Sequence, residues 1–322
     1  MLLLLDWQGL ATVLNQHYKI GQAPTGRPAH NPLVLFKMLL IGCWYSLSDE
    51  GTERACQDRL SFMRFLGLGL ANPLPDATRL VRFRQELGPN GLEALMAFVN
   101  QQLCSAHVEL KQGVMIDATV TDAARKPKAM GGGGDSQAGY SRKGGRTRLA
   151  YKAHVATDAK GLVLGLVTTP GNEHDVHSLA PVLDAAQRTS GSFGPGTEII
   201  ADKGYNGKRH TAGLEARGFK ASIMAKGYRA RPLSQPDKDA NKALSKRRYV
   251  IERTFGSCKR WFNAGRCRYV GLAKAHFFHV LNALCYNLKR LPALVEAAAA
   301  ATVLATQARQ QISQQIAQPT TP

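Results

Sequence analysis

Glu198-Ile199-Ile200-Ala201-Asp202-Lys203-Gly204-Tyr205 decides how this chain is read. A short apolar run ends on an aspartate and a glycine turn, the pattern of a buried strand that delivers a carboxylate at its C-terminal end. A second run of the same make, Gly113-Val114-Met115-Ile116-Asp117, delivers another. A third acid, Glu252, stands in a basic stretch of helical pattern. Lys242, Lys246, Arg247, Arg248, Arg253, Lys259, Arg260, Arg266 and Arg268 surround it, with no other acid between Asn241 and Tyr269. Taken singly, either aspartate is equally a turn or capping residue, and Glu252 is equally the partner of Arg248 in a surface salt bridge of little energetic weight. Residues so far apart in sequence meet only through a fold. Carboxylates that do meet repel unless a cation neutralises them, and hard oxygen ligands favour Mg²⁺ or Mn²⁺.

Outward from these runs, strands are expected at residues 114–116, 150–157, 162–168 and 197–201, with a helix over 175–188 between the third and fourth. The order β-β-β-α-β, followed by helical pieces and the Glu252 helix, makes the fold class α/β: a mixed sheet flanked by helices. Upstream, residues 1–110 read as all-helical. Pro32 to Trp44 is an apolar helix, Ser48 caps the next, and Asp76 caps Ala77 to Leu87. On that last helix Arg79, Arg82 and Arg84 lie among Leu80, Val81 and Phe83, forming either a basic edge for DNA or a solvated face. Three regions are expected: 1–110, a helical N-terminal domain; 111–292, a catalytic domain; and 293–322, an alanine- then glutamine-rich helix fraying into disorder.

The formal charge of the 322 residues is +19, from 42 Lys+Arg against 23 Asp+Glu, which points to a polyanionic partner. Nucleic acid fits better than a membrane surface, since no basic helix carries a continuous apolar face. The apolar run from Pro32 to Tyr45 is too short to span a bilayer and contains Lys37. Six cysteines without a Cys-x-x-Cys pair read as reduced thiols of a cytoplasmic protein, nucleoid-associated if it binds DNA. Between Lys126 and Lys152 a basic segment with Gly131 to Gly134, Arg142, Lys143, Arg146 and Arg148 reads as a flexible loop. It lacks the phosphate-loop spacing, so no nucleotide cofactor is expected. His174, Asp175 and His177 read as a helix start capped by Asn172 or Asp175 rather than as a zinc cluster, with a supporting place near a catalytic metal left open.

At this point the residues resemble the DDE transposases of bacterial insertion sequences, particularly the group named after insertion sequence five. The third motif of that family, Tyr-x2-Arg-x3-Glu-x6-Lys, is matched by Arg248, Glu252 and Lys259, with Ser245 at the Tyr position. Met115-Ile116-Asp117-Ala118-Thr119 and Ala201-Asp202-Lys203-Gly204-Tyr205 are similar to the first and second motifs. Tyr151-Lys152-Ala153-His154, Asn172-Glu173-His174-Asp175 and Pro75-Asp76-Ala77-Thr78 also fit. The resemblance spans most of the chain.

It implies a ribonuclease H-like catalytic fold, with the first Asp on the first strand, the second after the fourth, and the Glu on a late helix. It further implies that Asp117, Asp202 and Glu252 are catalytic and hold two Mg²⁺ or Mn²⁺ ions about 4 Å apart. Lys203, Arg248 and Lys259 would hold phosphates, and Tyr205 would stack on an unpaired base. Arg142, Lys143 and Arg82, from the basic segment and the basic helix edge, are expected as further DNA contacts. The partners implied are double-stranded DNA, as element ends with their terminal inverted repeats and as target, and further copies of the chain. Two competing functions share parts of this pattern: a metal-dependent nuclease of the same fold, and a DNA-binding remnant that has lost catalysis.

Overall fold

Among the residues described by this computed structural model (4–20, 30–105, 113–126, 134–143, 145–191, 195–228 and 232–316), six strands form one sheet. They are β1 (Val114–Asp122), β2 (Gly139–Lys143), β3 (Arg146–Thr157), β4 (Val163–Pro170), β5 (Glu198–Ala201) and β6 (Lys220–Ile223). β1 pairs antiparallel with β3, and β3 with β4; β1 pairs parallel with β5, and β5 with β6. Leaving out β2, the order is β4-β3-β1-β5-β6, three antiparallel strands followed by two parallel ones. This is the ribonuclease H-like arrangement.

Two strand expectations need correction. β1 does not stop at Asp117: the β-branched residues Thr119, Val120 and Thr121 continue it, opposite Ala153, Lys152 and Tyr151 of β3. The first aspartate is therefore mid-strand. The basic segment before Lys152 is in large part a hairpin rather than a loop, because β2 pairs with the first residues of β3; Gly131 to Gly133 lie outside the described residues. β6 has too few apolar residues to stand out as a strand, and it forms by parallel pairing with β5.

Nine helices are found among the described residues: α1 (Trp7–His17), α2 (Pro32–Trp44), α3 (Asp49–Asp58), α4 (Leu60–Leu66), α5 (Ala77–Ser105), α6 (Leu179–Ser190), α7 (Lys208–Ala216), α8 (Gln235–Phe262) and α9 (Leu272–Ile316). α2 has the expected bounds, and both expected caps are made: Ser48 Oγ accepts from Gly51 N at 2.9 Å, and Asp76 Oδ1 from Arg79 N at 2.8 Å. α5 runs past Leu87, bending at Gly88 (φ 60°) before Pro89. The region after residue 293 continues α9 as far as Ile316. No single helix among the described residues is long and apolar enough to cross a membrane.

α6 covers one face of the sheet, its Leu179, Val182, Leu183 and Ala186 packing with Val114, Ile116 and Leu164. A Cβ on Gly165 of β4 would lie 2.4 Å from the backbone N of Ala186, so that close approach requires glycine. α8 covers the other face, with Ile251 against Met115 and Ile200. α9 ties the helical layer to the sheet. One apolar cluster contains Leu10, Phe36 and Phe83 together with Val155, Leu166 and Leu284. At the start of β4, Asn287 Oδ1 accepts from Val163 N at 2.9 Å, while Asn287 and Asn100 both donate to Val163 O, at 2.8 and 3.2 Å. These bonds satisfy strand-edge groups that would otherwise be left bare.

Candidate active site

The last registered pair between the parallel strands β1 and β5 is Ile116 with Ala201, and the next residue on each strand is an aspartate. Neighbouring strands lie about 4.8 Å apart. Asp117 and Asp202 thus form one side-by-side acid pair where the parallel pairing of β1 with β5 ends, while the other edge of β1 stays paired antiparallel with β3. Strand alternation sends Val114 and Ile116 toward α6, and Met115 and Asp117 toward α8.

There Asp117 meets Arg248. Leu244, Arg248, Ile251 and Phe255 fall on one stripe of α8, and an arginine among apolar positions is carried into the interior. Its side chain is 7% exposed; Nη2 lies 2.7 Å from Asp117 Oδ2 and Nη1 lies 3.4 Å from Asp202 Oδ1. Backbone amides complete the pair: Ala118 N donates to Asp117 Oδ1 at 2.8 Å, and Lys203 N to Asp202 Oδ1 at 2.7 Å. Burial pushes the Asp117 carboxyl above its ordinary range, Arg248 pulls it back, and Asp202 adds to the rise.

Arg248 therefore neither pairs with Glu252 nor stands exposed to hold a phosphate, as the sequence had allowed. It clamps the two aspartates. Glu252 is exposed one turn further along α8, with no hydrogen bond or ion pair to either aspartate. Among the described residues, no group of three or more His, Cys, Asp or Glu is placed to hold a metal ion. The donor chemistry of the aspartate pair nonetheless fits a hard divalent cation: two adjacent carboxylates, one of them disfavoured as an anion by burial, with a guanidinium already between them.

Tyr205 corrects another expectation. It is 1% exposed and packs with Ile116, Leu179 and Leu214, which leaves no ring face for a base. Its hydroxyl is buried without a protein partner, and burial, then Asp175, Asp117 and Asp202, raise its pKa. Lys203, Lys259, Arg142 and Arg82 are exposed on the Asp202 turn, α8, β2 and α5 respectively. The Lys143 side chain lies outside the described residues. Arg84 has turned inward, bonding Asp49 at 2.6 and 2.5 Å, so it contributes nothing to a basic edge.

On the α6 side, Lys152 Nζ donates to Asp175 Oδ1 at 2.9 Å and to Glu173 O at 2.7 Å. Asp175 is thereby committed to an ion pair, and neither it nor Asn172 caps α6, whose N-cap Ser178 makes no side-chain cap bond. His177 Nδ1 lies 2.7 Å from Glu173 Oε1. His154 is buried, bonded through Nε2 to Thr169 Oγ1 at 2.9 Å and without a protein partner at Nδ1; burial pushes its pKa down to about 4. The sequence motifs contain Lys152 and Asp175, but no local spacing says that they meet.

Residues 109–288 match the family described as Transposase DDE domain. The chain belongs to the DDE transposase family. Residues 1–86 match a second family description, Transposase domain (DUF772). As a DDE transposase, the protein is a polynucleotidyl transferase of DNA transposition, and transposases of this family use divalent metal. Among solved structures, the chain is similar to a piggyBac transposase synaptic complex with hairpin DNA, at 10% identity over 97% of this chain and 80% of that one, with a TM-score of 0.47. It is also similar to a Mos1 transposase paired-end complex with the left transposon end, at 13% identity over 86% and 81%, with a TM-score of 0.25. At those scores they add nothing to the family assignment.

Proposed function

We propose that this transposase cuts DNA at the ends of its insertion sequence and joins the freed 3′ ends to a target, with Asp117, Asp202 and Glu252 as its catalytic acids. The observation that carries the reading is the parallel register that sets Asp117 beside Asp202 under the helix bearing Glu252. The three acids would hold two Mg²⁺ or Mn²⁺ ions. When bound, such ions supply an activated oxygen nucleophile and neutralise charge on the leaving oxygen.

Arg248 holds both aspartates in one orientation and offsets their charge. Lys203 and Lys259 bind phosphates on either side of the acids, and Arg142, Lys143 and Arg82 extend the contact along the duplex. In the first step water oxygen bonds to phosphorus and the 3′ oxygen leaves as a hydroxyl. In the second, that hydroxyl bonds to a target phosphorus and a target 3′ oxygen leaves. Handling two ends in concert calls for at least two copies of the chain on DNA, with the terminal inverted repeats as the specific sites.

The test is a strand-transfer assay with Mg²⁺ on DNA carrying the native flanks of the gene. Joined product supports the reading. Cut but unjoined DNA reduces it to a nuclease, and binding without cleavage to a remnant.

A further inference from the structure

Far from the acid pair, α8 and α9 enclose a surface groove of about 300 Å³ lined by Arg253, Ser257, Trp261, Tyr286, Lys289 and Arg290. Trp261 is 50% exposed, an unusual fate for an indole whose burial would be favourable. Lys289 Nζ lies 4.8 Å and Arg260 Cζ 4.9 Å from its ring centroid. Arg253 and Arg290, one from each helix, donate to the same carbonyl, Lys160 O. Arg290 also donates to Tyr286 Oη at 3.2 Å. No carboxylate lines the groove, and among the described residues none of Arg253, Arg260, Lys289 and Arg290 is in an ion pair.

Cations around a half-exposed aromatic ring, with no carboxylate in the groove lining, are the chemistry of a strand-binding site, in which the ring stacks on a base and the cations take the backbone. A duplex offers phosphates but hides its base faces, so phosphate contact alone gives no reason for Trp261 to stand exposed. The groove shares α8 with the guanidinium that clamps the acid pair. Arg248 and Trp261 lie on one helix, 13 residues apart, which is about 20 Å.

We propose that the groove holds an unpaired nucleotide of a DNA strand, its base on Trp261 and its phosphate among Arg253, Lys289 and Arg290. The proposal rests on the transposase reading and extends it to a second DNA site.

The test uses the full chain with two probes, an oligodeoxythymidine and a blunt duplex, following indole emission and probe anisotropy in parallel. The oligodeoxythymidine is expected to quench the indole emission, and Trp261→Phe to remove that quenching while keeping most of the affinity. Trp261→Ala is expected to weaken the oligodeoxythymidine about tenfold or more, with duplex affinity changed less than about twofold. Lys289→Gln is expected to lower the salt slope for the oligodeoxythymidine by about one. Equal affinity of Trp261→Ala and the parent for the oligodeoxythymidine overturns the proposal, as does equal loss for both probes, and either leaves the transposase reading intact. Failure of the parent to bind either probe at low salt overturns both.

Discussion

Toward the far end of β1, Thr121 belongs to a hydrogen-bond chain that enters from Glu93; near its start, Asp117 shares a guanidinium with Asp202. In the first cluster every link has a partner. His276 Nε2 lies 2.7 Å from Glu93 Oε1 and its Nδ1 lies 3.0 Å from Thr168 Oγ1. Thr168 Oγ1 lies 2.8 Å from His279 Nδ1, His279 Nε2 lies 3.0 Å from Thr121 Oγ1, and Thr121 donates to Ala264 O at 3.1 Å. Around the second cluster, Arg248 Nε, Tyr205 Oη and His154 Nδ1 are all buried without a protein partner. A complete network ties the helical layer to the sheet and has nothing left to offer a ligand. An incomplete one, with charge drawn into the interior, retains unspent bonding capacity where two strands deliver acids.

Four substitutions or conditions separate these clusters, from the largest effect to the smallest. If the two aspartates hold the metal ions as proposed, Asp117→Asn or Asp202→Asn is expected to lower cleavage by about a thousandfold or more; gel-resolved single-turnover cleavage reads this. Arg248→Ala leaves two partly buried carboxylates without their counter-ion and should destabilise the fold by about 3 kcal/mol, measured by urea unfolding. Asp117 should also titrate at higher pH in that variant. Thr168→Val cuts the complete network and strands His279 and His276, at a cost of about 2 kcal/mol with cleavage per folded molecule unchanged.

The last effect is of pH. Burial pushes His279 down to about 3 and His154 to about 4, from 6.5. Below pH 6.5 the unfolded chain takes up protons that the folded one refuses, so stability falls as pH drops toward 4, by about 1.4 kcal/mol per histidine at pH 5.5. A thermal-melting series between pH 8 and pH 5, with no destabilisation on acidification, would contradict that assignment.

What could be read in the sequence followed from local chemistry. Proline at the start of α2, Ser48 and Asp76 as caps, and the apolar runs before Asp117 and Asp202 each carry their own signal. The partnering of Asp117 with Asp202 does not, because three strands and α6 lie between β1 and β5 in the chain, and all must be placed before the two strands come into register. Arg248 was half legible: its place in the stripe of Leu244, Ile251 and Phe255 marks it as inward-facing, while its family motif suggested a phosphate contact. Tyr205 was expected to stack on a base from the family resemblance alone, yet the 3-10 turn of Lys203–Tyr205 folds its ring back onto the α6 face. The Lys152–Asp175 pair was invisible, since it needs β3, β4 and the turn after β4 to be assembled first.

The most direct test concerns Glu252, the one acid of the proposed three that this arrangement leaves outside the pair. Single-turnover cleavage of native-flank DNA should be measured for the parent and for Glu252→Gln, in Mg²⁺ and in Mn²⁺, alongside urea unfolding of both proteins. Because the side chain is exposed, the account predicts unfolding curves that agree within about 0.5 kcal/mol and cleavage lost with either ion. Equal cleavage by the variant would contradict the three-acid site and leave Asp117 and Asp202 to act without it.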